Sequence, residues 1–157
     1  MGILSGFRVL DFTQYQAGPY GAALLADFGA DVIKIERPGG DPGRANQPLT
    51  DGVNAFFLVN NRGKRSLGLD LTKPAALEIV RRLIARSDVL AHNLRPGTME
   101  KLGFGYDEAR KVNPRLVYAA VSTYGPKGAK RDRAGVDLIA QAESGIMSVT
   151  GEVGGRA

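Results

Sequence analysis

The stretch RVLDFTQYQAGPYGAALLADFGADVIKIERPGGDPGR, residues 8–44, constrains the fold more than any other part of the chain. It reads as one complete strand, turn, helix and strand followed by a polar loop. Residues 8–12 form a short β-rich run that Gly18-Pro19 ends. Pro19 suits the first turn of a helix, and Ala22, Ala23, Leu24, Leu25, Ala26 and Phe28 continue that helix with a broad apolar face. Gly29 stops it, and residues 31–36 give a second strand carrying Val32, Ile33 and Ile35. The connection across residues 13–30 is long enough for a right-handed crossover between parallel strands. Ligands of open α/β sheets bind beyond the carboxyl ends of the strands, so residues 13–18 and 37–44 are expected on one rim.

The remaining chain repeats the alternation. A loop with Pro42 and Pro48 leads to the apolar piece 55–59, then the polar turn NNRGKR and a third strand over 66–71. Thr72 is placed to cap a helix with Pro74 in its first turn and a core face of Leu77, Val80, Leu83 and Ile84. A strand at 88–92, the turn NLRPG and two short helical pieces at 98–102 and 107–112 follow. LVYAAVS, 116–122, has the strongest strand signal because β-branched and aromatic residues dominate it. A glycine- and charge-rich loop, 123–133, leads into a helix expected over 136–149. The fold class is therefore α/β, a Rossmann-like open and mainly parallel sheet with flanking helices. TGEVGGRA at the end closes no element, so the chain reads as the N-terminal part, 1–157, of a larger domain.

Composition narrows the chemistry. With 157 residues, 43% hydrophobic and 24% charged, the chain can build a real core. The absence of cysteine excludes disulfides, thiolate ligands and a cysteine nucleophile, and the single histidine, His92, argues against a histidine-rich metal site or a Ser-His-Asp triad. No apolar run reaches membrane-spanning length and the N-terminus lacks signal-peptide regions, so a cytoplasmic protein with no membrane partner is expected. A net charge of +5 and a pI near 9.7 favour an anionic partner. The aromatics are not interleaved with the basic residues as in a nucleic-acid module, so no nucleic-acid partner is expected. A dinucleotide fingerprint fails at the first turn, where QAGPYG places Pro19 against the position that needs bare backbone.

Four ordered blocks carry a resemblance: residues 10–44, NNRGKRSLGLDL, DVLAHNLRPGTMEKLGFGYDEARKVNPRLVYAAVS and AGVDLIAQAESGIMSVTG. Together they closely resemble the family III CoA-transferases, which include formyl-CoA and crotonobetainyl-CoA transferases and have the α-methylacyl-CoA racemases as relatives. The resemblance implies coenzyme A or acyl-CoA as substrate, a carboxylic acid, with a dicarboxylate preferred, as the second substrate, and no prosthetic group. It implies Gln16 and Ala17 at the thioester end and Arg37 beside the adenine. Leu69, Asp70, Leu71 and Thr72, with Asn93, Leu94 and Arg95, would form the wall. Lys101 would face phosphate, and Arg133, Ala134, Gly135 and Val136 would lie along the pantetheine. A guanidinium can stack on a purine or fork onto phosphate, and an amide suits a polarised thioester carbonyl.

The family's nucleophilic aspartate lies in a block resembling G-x-P-x-G-D, expected beyond Ala157, so Asp137 is read as structural or supporting. The racemases carry a histidine where this chain has Val136, which cannot exchange a proton. The expected reaction moves CoA between two acids through an enzyme-bound anhydride and thioester, within an interlocked homodimer. The 157 residues alone are expected to be inactive. Two other readings stay open, a racemase-like enzyme and a non-catalytic CoA- or nucleotide-binding module. Oxalate-using relatives carry a tryptophan and a tyrosine where Asn46 and Phe56 stand nearest here.

Overall fold

The computed structural model describes residues 2–45, 54–152 and 154–155. Five strands form one wholly parallel sheet: β1 (Arg8–Phe12), β2 (Asp31–Glu36), β3 (Arg65–Gly68), β4 (Val89–His92) and β5 (Val117–Ala120). Their spatial order is β3-β2-β1-β4-β5, so the chain moves outward to β3, returns to the other side of β1 and ends at β5. The order reverses between β1 and β4, and the crevice outside such a reversal is where α/β sheets take ligands.

Seven α-helices lie among the described residues: α1 (Ala17–Asp27), α2 (Ala55–Asn61), α3 (Pro74–Ile84), α4 (Thr98–Lys101), α5 (Tyr106–Val112), α6 (Asp137–Ser144) and α7 (Ile146–Val149). The chain divides into two compact units, Met1–Val121 with the sheet and Ser122–Ala157 with α6 and α7.

Alternation along the strands sorts the core of the first unit. Leu10, Phe12, Ile33, Ile35 and Leu90 join Val80, Ile84, Met99 and Phe104 in the larger cluster, whereas Val9 and Val32 meet Ala22 of α1 in the smaller one. On this second face the strands change character towards their carboxyl ends. Val9 gives way to Asp11 and Thr13, and Val32 to Lys34 and Glu36, all of them buried. Apolar contact therefore holds the base of this face, and paired polar groups hold its rim.

The expected first unit agrees closely with the structure: β1 and β2 have the expected bounds, and Gly29 ends α1 at φ +100°. Apart from shifts of one or two residues at other element ends and a 3₁₀ turn over Pro42–Ala45, four details differ. The third strand stops at Gly68, because its partner β2 ends at Glu36, and an Asp70–Thr72 turn begins. Thr72 does not cap α3: its hydroxyl donates to Asp70 Oδ1 at 2.7 Å and Lys73 takes the cap position without a side-chain bond. The apolar piece 55–59 is helix α2, capped by Asn54, which accepts from Phe57 N at 3.0 Å. The single helix expected over 136–149 is two, because Gly145 adopts φ +80° and breaks the hydrogen-bond ladder. Asn46 lies outside the described residues.

Candidate functional site

Every strand of the parallel sheet delivers its exit loop to the same edge, which is how residues far apart in sequence come to share a rim. After β1 the turn Thr13–Gln14–Tyr15–Gln16 is held almost entirely by side chains. Thr13 N donates to Asp11 Oδ1 at 2.9 Å, and the Thr13 hydroxyl donates to the same oxygen. Lys34 Nζ donates to Thr13 O at 2.7 Å, and Tyr15 N approaches Asp41 Oδ1 at 3.4 Å. Tyr15 adopts φ +65°, a left-handed conformation rare for a residue with a side chain. Gly18 is required for a related reason: a Cβ there would stand 2.5 Å from Thr13 Cγ2. The glycine that imitates a dinucleotide fingerprint thus seats α1 on its own turn.

Two buried ion pairs support this turn. Lys34 Nζ lies 2.7 Å from Asp41 Oδ2, and Lys64 Nζ lies 2.7 Å from Asp11 Oδ2. Lys64 also donates to Pro19 O at 2.9 Å and Asn61 Oδ1 at 3.0 Å, so all three ammonium hydrogens have acceptors. Burial pulls the Lys64 ammonium below the ordinary lysine range, and the Asp11 carboxylate opposes that pull. Neither Lys34 nor Lys64 was expected at the site, and Asp41 was expected there only as part of the 37–44 loop. The available signal was Lys34 itself, a charge inside DVIKIE where a central parallel strand is covered on both faces.

Gln16 occupies the N-cap position of α1, but its side chain makes no capping bond and is exposed. With Tyr20, Ala55, Phe56, Val59 and Asn60 it lines a depression of about 430 Å³. Ala17 follows it, also exposed. Arg37 opens the loop after β2, donates from Nε to Gly40 O at 3.1 Å and borders a second depression of about 310 Å³ with Arg44, Ser66 and Gly68. Glu36 beneath it is fully engaged: Arg44 forks onto its carboxylate at 2.8 and 2.7 Å, and Ser66 Oγ and Asp41 N donate at 2.7 and 2.8 Å. Burial pushes the Glu36 carboxyl up, but these donors and the Arg44 charge outweigh it and bring it down to about 2.

The other expected wall residues divide by what they can present. Leu69 is buried in the core, and Leu71 and Leu94 are partly buried against it. Asp70 accepts from Thr72 N and Oγ1, which hold its carboxyl below the usual carboxylate range. Arg95 is exposed, and Lys101, exposed at the end of α4, forms no ion pair among the described residues. Asn93 is committed elsewhere: its Oδ1 accepts from Gln14 N at 2.7 Å and its Nδ2 donates to Gln14 O at 2.8 Å. Arg133, Ala134, Gly135 and Val136 belong to the second unit, where Arg133 lies 3.5 Å from Glu143, whose nearer partner is Lys130 at 2.6 Å.

His92 is buried at the end of β4 with its ring edge-on to Tyr118 at 5.4 Å. Burial lowers its pKa, against the opposing charge of Glu100. Among the described residues no group of three His, Asp or Glu side chains is arranged to hold a metal ion, and no helix is long and apolar enough to cross a membrane.

The rim therefore offers an exposed amide at a preformed turn, a free-facing arginine one loop away and lysine and arginine side chains beyond. This is a surface suited to a long ligand with an anionic end. A succinyl-CoA:mesaconate CoA-transferase of Haloarcula hispanica is 47% identical over 164 residues, covering 99% of this chain and 41% of its own length. A probable fatty acyl-CoA transferase of Mycobacterium tuberculosis, Rv3272, is 47% identical over 148 residues, covering 92% of this chain and 38% of its own length. The crystal structure of a CAIB/BAIF family protein from Brucella suis superposes with a TM-score of 0.91 at 38% identity, covering 96% of this chain and 41% of that one. The chain thus spans about two fifths of the length of the relatives it matches. Since residues 4–157 also match the profile of CoA-transferase family III, the chain belongs to that family.

Proposed function

We propose that the protein transfers CoA from an acyl-CoA to a carboxylic acid, with the acyl thioester at Gln16 and the nucleotide end of CoA towards Arg37. The observation that carries this reading is the preformed turn after β1. It fixes the backbone under Gln16 before any ligand arrives, so the amide can be aimed at a thioester carbonyl without reordering. The depression beside Gln16, walled by Tyr20, Phe56 and Val59, would hold the acyl group, and Ala17 would border it. Leu69, Asp70, Leu71 and Thr72 would line the CoA path with Leu94 and Arg95, and Lys101 would meet a phosphate. Arg133, Ala134, Gly135 and Val136 would approach the pantetheine.

The chemistry follows the family resemblance. An aspartate outside these 157 residues would attack the thioester carbonyl, expelling CoA thiolate and forming a mixed anhydride. The thiolate would then attack the aspartyl carbonyl and release the donor acid, and the acceptor carboxylate would reverse both steps. Carboxylates are weak nucleophiles, so binding energy from the distant nucleotide must align the reacting end. Succinyl-CoA is the favoured donor and a dicarboxylate the favoured acceptor, in line with the relative that uses mesaconate. The working enzyme is proposed to be a cytoplasmic homodimer, and residues 1–157 alone to lack turnover.

Calorimetric titration of the chain with CoA tests the binding half of this reading. Saturable binding is expected, weakened about tenfold by Arg37→Ala, roughly what loss of one charge-assisted contact costs. A folded chain that does not bind CoA, or an Arg37→Ala variant that binds as tightly as the parent, would remove the nucleotide from this rim.

A further inference from the structure

We propose that the Asn93 side chain is a positioning group for Gln16: it clamps the backbone that carries the Gln16 amide and thereby sets the rate of transfer without itself holding CoA. This rests on the CoA-transfer reading above and assigns Asn93 a task different from the ligand wall that family resemblance implies for it.

The geometry is specific. Asn93 is the first residue beyond β4, and Gln14 lies two residues beyond the end of β1. The two strands are neighbours across the reversal of strand order, where a ligand crevice is expected and where no backbone ladder continues past Phe12 and His92. The Asn93 side chain continues that ladder by other means. Its amide accepts from Gln14 N at 2.7 Å and donates to Gln14 O at 2.8 Å, the paired pattern of two facing peptides. Asp11 and Lys34 fix Thr13 on one side, and Asp41 reaches Tyr15 N on the other. Asn93 is the member of this set that follows β4, and among the described residues it makes the only hydrogen bonds between Gln14 and that strand's exit loop.

Tyr15 makes the clamp consequential. Its left-handed backbone is disfavoured for a residue with a side chain, so it persists only while its neighbours are constrained. Releasing Gln14 would let Tyr15 relax and would redirect the chain at Gln16, whose carbonyl begins α1 by accepting from Tyr20 N at 2.8 Å. Misplacement by about 1 Å at a reacting group can cost on the order of a hundredfold in rate.

The test uses the protein at its full natural length, with succinyl-CoA as donor and mesaconate as acceptor, and CoA itself as the binding probe. Asn93→Ala is expected to lower kcat about 10- to 100-fold, with the Kd for CoA within about twofold of the parent, as a change made only at the reacting end requires. Asn93→Asp keeps the acceptor for Gln14 N, loses the donor to Gln14 O and preserves side-chain volume. It is expected to show the same split with a smaller loss, and it serves if the alanine variant fails to fold.

In a Gln16→Ala background, Asn93→Ala is expected to add less than about threefold, because both changes act through one group. Loss of CoA affinity with kcat intact, or multiplicative effects of the two substitutions, would overturn the proposal and return Asn93 to the ligand wall. If the parent transfers no CoA with these substrates, the substrate choice or the functional reading fails separately. Amide hydrogen exchange at residues 14–16 then decides the positioning claim: acceleration in Asn93→Ala with unchanged CoA affinity supports it, and unchanged exchange overturns it.

Discussion

Lys34 shows most plainly how single residues govern this rim. Its side chain is 2% exposed, and its ammonium is shared between Asp41 Oδ2 and Thr13 O, both at 2.7 Å. Breaking such a pair leaves a buried charge without compensation, which typically costs about 3–5 kcal/mol. Lys34→Met is therefore expected to lower stability by that amount in urea denaturation. The double change Lys34→Met with Asp41→Asn is expected to recover part of the loss, because no lone charge remains and the asparagine oxygen can still accept from Gly43 N, now 2.7 Å from Asp41 Oδ1. A double variant no more stable than Lys34→Met would show that the pair contributes packing rather than charge compensation. In sequence Lys34 stood out as a charge in an apolar strand, but nothing local pointed to Asp41 as its partner. Asp41 lies in a glycine-rich loop whose direction depends on Arg44 folding back onto Glu36.

At the scale of elements, the loop after β2 is fastened through one carboxylate. Glu36 joins Arg44, Ser66 of β3 and the Asp41 backbone, so its ionisation holds the loop bearing Arg37 against the sheet. Its pKa is depressed in the folded state to about 2 from an ordinary 4.5. The folded protein thus binds this proton less readily than the unfolded chain, and the stabilisation is complete above about pH 4.5 and lost as pH falls towards 2. The full shift corresponds to roughly 3 kcal/mol, reduced by solvent around the half-exposed Arg44 guanidinium. Glu36→Gln is expected to be less stable at pH 7 and to flatten the acid limb between those values, measured by denaturation at successive pH. An unchanged acid limb would show that other carboxylates control it.

The elements also show where local reading ends. LVYAAVS carries the strongest strand propensity in the sequence, yet it yields the short edge strand β5 with Val117 60% exposed. Propensity reports how well a side chain fits a pleated surface, whereas exposure depends on what the rest of the fold lays over it.

For the molecule as a whole, a net charge of +5 surrounds a rim whose exposed groups include Arg37, Arg95 and Lys101. Binding of polyanionic CoA is expected to weaken several-fold between about 50 and 500 mM salt, because exposed charges are screened within a Debye length of roughly 10 Å or less. Salt-independent affinity would place the phosphates out of reach of these side chains. By itself the sequence determined the strand-turn-helix-strand unit, the parallel α/β class and the bounds of β1 and β2, since alternation, helical periodicity and glycine or proline stops act within a few residues of one another. Only the tertiary structure decided the order β3-β2-β1-β4-β5, the pairing of Lys34 with Asp41 and Lys64 with Asp11, and the Asn93 clamp on Gln14. The clamp joins residues 79 positions apart, and the Lys64 pair residues 53 apart. No local preference selects such partners: burial makes a partner necessary, and strand order determines which one lies within reach.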